Sequence, residues 1–382
     1  MKYGFNLLCS LAALLIITGC GTTATTTTTV TTGEAGEEIL ETIELVNRGF
    51  EEPNAGKQTS FDTVPGWSTD TPVKDSGVEA EPYLGDWSGY LMAGDPPVYN
   101  DGTGAALQVP AVYKLEVASK TSWQGKLLQM IIYGDIMGVQ IPLQTKTVTI
   151  YDSFQLFSMY MDSLDAYMVA GNPVTVGFEN VTYWLPGEAW LAVDAPSLKT
   201  VSANMEADNL MAKIAGMTET PLELPNAGFE DPNDGRQANF LHVPGWASLN
   251  EVTDSGVEGG YADNGGWAAY LMAGDGPVFS THLDNIIEEG AVYKLTLKAK
   301  ATWQGVALTM GFAAIINGAP VALATKTVGL GDSMVEHTHY FDTADCPMAA
   351  GNPITVGFMN YTLNYPAEAW LAVDDVKLSV FK

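Results

Sequence analysis

Two tripeptides raise the first chemical question: Trp123-Gln124-Gly125 and Trp303-Gln304-Gly305. An indole offers a flat apolar face, and the amide beside it both donates and accepts hydrogen bonds. A pyranose suits that pairing, because one face of its ring is apolar while its hydroxyls need polar partners. Other aromatics also recur in pairs. Trp87 with Tyr90, and Trp267 with Tyr270, lie in Gly- and Asp-rich stretches, while Trp190 and Trp370 each stand shortly before a closing aspartate. Together, Trp87, Tyr90, Trp123, Gln124 and Trp190, with Trp267, Tyr270, Trp303, Gln304 and Trp370, form the candidate ligand-binding set. Trp67 and Trp246 follow Pro-Gly at the start of a strand and read as core anchors instead. Tyr183 and Trp184 have no aromatic counterparts, since Leu363 and Asn364 align with them, so two binding halves need not share one ligand.

Catalytic constellations are not legible. The four histidines, His242, His282, His337 and His339, all fall in the second half of the chain. His337 and His339 share a strand face at i and i+2, which reads either as a metal pair or as a solvated strand edge. G-x-S-x-G, H-E-x-x-H and P-loop patterns do not occur. No residue is assigned a catalytic role.

The elements that position these residues come from a duplication. GFEEPN at 49–54 returns as GFEDPN at 228–233, VPGW at 64–67 as VPGW at 243–246, and YLMAGD at 90–95 as YLMAGD at 270–275. AVYKL, WQG, TKTV, AGNP and EAWLAVD recur in the same order, at an offset of 179 residues early and 180 later. Inside each copy the apolar residues alternate with period two, as in VYKLEVASK, VYKLTLKAK and PVTVGFENV, and Gly/Pro clusters punctuate them. Short strands with no long helix predict an all-β fold of two tandem antiparallel β-sandwiches, best described as jelly rolls. Module 1 is expected at residues 43–198 and module 2 at 222–382, joined by a helical or ordered linker at 199–221.

Ahead of them, residues 1–19 resemble a bacterial lipoprotein signal peptide ending at Ile17-Thr18-Gly19, with Cys20 as the lipidated residue. Residues 20–42 hold an almost pure threonine tract and read as a tether. The expected location is therefore the cell envelope, anchored to a membrane through lipid. The formal charge of −28, from 45 acidic against 17 basic residues, repels phosphate backbones and excludes nucleic acid as a partner. With Cys9 and Cys20 assigned to the signal and the lipid, Cys346 is left without a disulfide partner.

The N-x-G-F-E-x-P opening, V-P-G-W and the closing V-D-D-V-x-L resemble galactose-binding-like jelly rolls, an architecture shared by many carbohydrate-binding modules. The wording is similar to that of the Stig cyclases and exported bacterial proteins like them. That resemblance implies a structural Ca²⁺ in each module, held by Glu51 with Asp194 and by Glu230 with Asp374. The electrostatics agree, since acids brought together from opposite ends of a sandwich repel unless a cation bridges them. The leading expectation is a tandem glycan-binding protein. The alternatives are a cyclase-like enzyme acting on a small hydrophobic molecule and a calcium-stiffened structural module.

Overall fold

The computed structural model describes residues 37–101, 103–136, 139–362 and 368–382. The signal peptide, Cys20 and the threonine tract lie outside them. Module 1 opens with β1 (Ile39–Ile43), β2 (Trp67–Thr69), β3 (Gly77–Glu79), β4 (Ser88–Met92) and β5 (Val98–Asn100). It continues with β6 (Val112–Trp123), β7 (Leu127–Ile136), β8 (Val139–Thr149), β9 (Gln155–Asp162), β10 (Val174–Asn180) and β11 (Trp190–Val201). A helix, α1 (Met205–Ile214), leads into module 2. There the strands are β12 (Glu219–Leu222), β13 (Trp246–Ser248), β14 (Gly256–Gly259), β15 (Trp267–Met272), β16 (Val278–Ser280) and β17 (Val292–Trp303). The last five are β18 (Ala307–Ile316), β19 (Ala319–Gly329), β20 (Val335–Asp342), β21 (Ile354–Asn360) and β22 (Trp370–Phe381).

The period-two stretches become strands because each sends alternate side chains into a sandwich. Leu115 and Val117 of β6 are fully buried against Leu128, Met130 and Ile132 of β7 in one apolar cluster. One face of each sandwich is a sheet ordered β3-β4-β11-β6-β9 or β14-β15-β22-β17-β20, with β1 added on β11 and β12 on β22. The opposing faces merge into one ten-stranded antiparallel sheet, β13-β16-β21-β18-β19-β8-β7-β10-β5-β2. Trp67 and Trp246 are core anchors, 2% and 3% exposed, packed on Phe50 and Phe229.

Three boundaries differ from the sequence reading. Strand β1 starts at Ile39 inside the segment read as tether, because Ile39–Ile43 pair with the Leu198–Val201 end of β11. Likewise β11 runs to Val201, and β12 (Glu219–Leu222) starts inside the linker, where it pairs with β22. β1 and β12 are short and mostly exposed, so only their partners make them strands. GFEEPN forms a turn and loop, with Phe50 at φ 56°.

The modules join through matched contacts. Thr145 and Thr325 face each other across β8 and β19, their hydroxyls 2.9 Å apart. Lys146 pairs with Asp345 at 2.8 Å, and Lys326 with Asp165 at 3.0 Å. The Thr147 hydroxyl donates to the Ala322 carbonyl, and that of Thr327 to the Pro142 carbonyl. These contacts have their repeat-equivalents in the other direction, so the duplicated modules meet about a pseudo-twofold axis, as in an isologous dimer. Leu127 and Val181 of module 1 even join the apolar cluster of module 2. Helix α1 breaks the symmetry. With no buried residue of its own, it docks by Glu206 on Lys146 and by Lys213 on Asp342.

Candidate functional site

At the far end of β6 the chain turns through Trp123-Gln124-Gly125 into β7. Gln124 takes φ 53°, and a Cβ on Gly125 would lie 2.4 Å from the Trp190 carbonyl oxygen, so glycine permits that close approach. Gln304 repeats the φ of 53°. With the backbone pinned against β11 or β22, the preceding indole is turned to solvent. Trp123 is 60% exposed and Trp303 61%.

Trp123 and Gln124 line a cleft of about 660 Å³ together with Lys126, Asp152 and Trp184, and with Asn317 and Met348 of module 2. The hydrogen-bond inventory separates this cleft from the other aromatic sites. Of the nine tryptophans, six donate their indole N–H to protein acceptors: Trp67, Trp87, Trp190, Trp246, Trp267 and Trp370. Trp123, Trp184 and Trp303 make no such bond among the described residues. The side-chain polar groups of Gln124, Lys126, Asp152 and Asn317 are likewise unpartnered there. The cleft therefore offers flat apolar rings next to amide, carboxylate and ammonium groups with unused hydrogen-bonding capacity. Such a lining can stack a ring and bind its hydroxyls.

The remaining candidates serve the scaffold. Tyr90 and Tyr270 are each 3% exposed, with hydroxyls held by the Gln58 and Gln237 carbonyls and by Asp75 and Asp254. Trp190 and Trp370 donate to the Asp75 and Asp254 carbonyls, and Trp87 and Trp267 to Asn54 and Asn233. These six ring residues tie loops to sheets through their hydrogen bonds, the two tyrosines buried and the four tryptophans half-buried. The alternation in EAWLAVD could not reveal this, because both faces of that strand are packed. Trp184 stood out in the sequence only as a departure from the repeat. Lys126, Asp152, Asn317 and Met348 gave no sequence signal, although Asn317-Gly318 is a recognisable hairpin turn.

The acid pairs converge on one loop in each module. Asp194, fully buried, accepts the Tyr83 and Leu84 amides at 2.7 and 2.8 Å, while Glu51 accepts the Asp86 amide at 3.0 Å. Asp374 and Glu230 repeat this with Asp263, Asn264 and Gly266. Gly85 and Gly265 admit the glutamates, since a Cβ at either would lie 2.0 or 2.1 Å from the carboxylate oxygen. Burial, with Glu51 nearby, pushes the Asp194 carboxyl above the usual range, partly offset by its amide donors. None of the four acids has a basic partner among the described residues. Each pair is an all-oxygen set, the ligand type a hard cation takes, although every one of its carboxylate oxygens already accepts a backbone amide. The remaining ligands would be carbonyls or water, because no group of three or more acidic, histidine or cysteine side chains gathers among the described residues.

His337 and His339 are no solvated edge. Both ring Nε2 atoms are buried without a partner, and His339 packs 5.7 Å from Phe312. Burial, together with Lys326, pushes the His339 imidazole down to about 3. A lysine at the same place opposes a cation, and no third ligand joins the pair among the described residues.

Fold and cleft define a class: an all-β tandem sandwich with a solvent-facing aromatic cleft at the module junction. No family model and no curated protein sequence matches the chain. Among solved structures, it is similar to a Stig cyclase, Fisc, from Fischerella sp. TAU in complex with an indole derivative, at 20% identity and TM-score 0.33, over 43% of this chain and 98% of that one. It is also similar to a family 16 carbohydrate-binding module, at 14% identity and TM-score 0.27, over 41% of this chain and 99% of that one. A third similarity is to TmCBM61 in complex with β-1,4-galactotriose, at 17% identity and TM-score 0.28, over 41% of this chain and 95% of that one.

Proposed function

We propose that the protein binds glycan without catalysis, holding a sugar in the Trp123 cleft of module 1. The observation that carries the reading is the isolation of Trp123: 60% exposed, its indole N–H unused among the described residues, and beside a Gln124 amide likewise unpartnered there. Leaving a ring of that size in water forgoes roughly 2 kcal/mol of burial, which a stacked pyranose face recovers. Module 2 offers the same platform at Trp303 and Gln304.

Calcium at Glu51–Asp194 and Glu230–Asp374 is part of the proposal. It would neutralise each acid pair and fix the loop that both acids hold, a structural role away from the cleft. Lipid anchoring through Cys20 to the bacterial envelope is proposed on the sequence alone. The described chain begins beside the Val112 end of β6, whereas Trp123 ends that 12-residue strand. At ~3.3 Å per residue, the two lie roughly 36 Å apart along the strand. That spacing suits presentation of the cleft away from an N-terminal tether.

A glycan array followed by calorimetry on the full chain tests the reading. Binding of at least one neutral oligosaccharide that disappears in Trp123→Ala is expected. A blank array, or binding indifferent to that substitution, would sink it.

A further inference from the structure

We infer that the module 1 cleft is a shared site, completed from across the junction by Asn317 and Met348 of module 2, and that Asn317 reads a hydroxyl of the bound sugar. The inference rests on the glycan reading above. Two modules carrying the same WQG turn could each have owned a self-contained platform. In module 1 the cleft at that turn is instead lined also by Asn317, at the tip of the module 2 hairpin joining β18 and β19.

The position of that tip is fixed by the junction. Strand β19, which leaves the hairpin, pairs with β8 through Thr325 and Thr145, and Lys146 and Lys326 clamp the two modules from both directions. A side chain at the tip is therefore held over the neighbouring module by sheet hydrogen bonds rather than by a flexible linker. Asn317 sits at φ 50° and Gly318 at φ 83°, a two-residue turn that asparagine and glycine adopt readily. Turn geometry explains an asparagine there but does not use its side chain. The amide is exposed and makes no hydrogen bond among the described residues. It borders the same cleft as the Gln124 amide, also unpartnered, so a ring stacked on Trp123 would meet two amides, one from each module. Both can donate and accept, which matches vicinal hydroxyls of a neutral sugar better than it matches an anion or a hydrocarbon.

This assigns the duplication a role other than valency. Module 2 acts as one wall of the module 1 site, and the pseudo-twofold junction is what makes the site whole. Asn317 is then a specificity-determining residue for a ligand whose stacking platform belongs to the other module.

The test uses the full chain in a Trp303→Ala background, so that only the module 1 cleft is read, with cellohexaose, xylohexaose and mannohexaose as probes in calorimetry. Asn317→Gly keeps the positive-φ turn and removes the amide. The expected result is binding weakened about five- to ten-fold with an unchanged thermal midpoint, the effect of losing one hydrogen bond to a ligand. Trp123→Ala should abolish binding of the same probe. If Trp123→Ala abolishes binding while Asn317→Gly leaves Kd within about twofold, module 1 suffices alone and the shared-site inference is wrong. If Trp123→Ala has no effect, or none of the three probes binds, the glycan reading of this cleft fails and the inference falls with it.

Discussion

Modules 1 and 2 carry the same backbone around different surfaces. In module 1 the loop held by Asp194 exposes Tyr83 (46%) and Leu84 (61%), while the loop between β8 and β9 exposes Tyr151 (46%) and β9 exposes Leu156 (59%). Phe154 packs on Tyr83 with ring centroids 5.5 Å apart. The aligned residues of module 2 are Asp263, Asn264, Gly331, Glu336 and Met334. Yet the Tyr83 and Asp263 amides make the same bond to the closing aspartate of their module. Scaffold duties here fall on main-chain groups and on the acids that grip them. The outward side chains are left free to diverge, so ligand preference can differ between halves that are equally well built.

The largest effect should come from the platforms. Trp123→Ala is expected to weaken oligosaccharide binding by about 30-fold or more, the cost of removing an aromatic hot spot. Trp303→Ala should leave binding of that same sugar largely intact; equal losses in calorimetry would show two interchangeable sites.

Next come the acid grips, where the modules should behave alike. Asp194→Ala or Asp374→Ala removes a buried carboxylate that grips three backbone amides, and each should cost about 3 kcal/mol in denaturant unfolding. Chelation of the wild type should lower the thermal midpoint; an unmoved midpoint would remove calcium and leave the amide grip by itself. A large asymmetry between the two substitutions would break the shared-scaffold argument.

A third difference belongs to module 1 alone. Burial pushes the Glu179 carboxyl up to about 7, partly offset by the Tyr183 hydroxyl that donates to it at 2.6 Å. Met359 stands at the aligned position in module 2. The folded chain holds this proton more tightly than the unfolded chain. Its stabilising share is therefore present at acidic pH, below the unfolded pKa, and is lost as pH rises through about 7. The midpoint of the wild type should fall between pH 5 and 8 more than that of Glu179→Gln, as scanning calorimetry would show; parallel profiles would refute the assignment.

The smallest effect tests the apolar loop. Tyr83→Asp gives module 1 the side chain of module 2 at an exposed site, and stability should change by less than about 0.5 kcal/mol. If a sugar chain extends from the cleft over this loop, hexasaccharide affinity should drop about two- to three-fold while disaccharide affinity stays constant.

The sequence by itself determined the duplication, the all-β sandwich and the identity of the cores. Period-two alternation and recurring motifs are local signals, and each strand has to bury one face whatever its neighbour. It also marked Trp123 and Gln124, because a ring beside an amide is legible within one dipeptide. Only the tertiary structure decided which tryptophans are spent on the scaffold, since an indole N–H is free or bonded according to residues such as Asn54 and Asp75, remote in sequence. The same holds for the junction. TKTV looks like any other repeated strand, and nothing in its spacing says that Thr145 meets Thr325. Pairing between strand edges is a long-range choice, set by which surfaces remain uncovered once each sandwich has closed, and that choice brought Asn317 to the cleft of the other module.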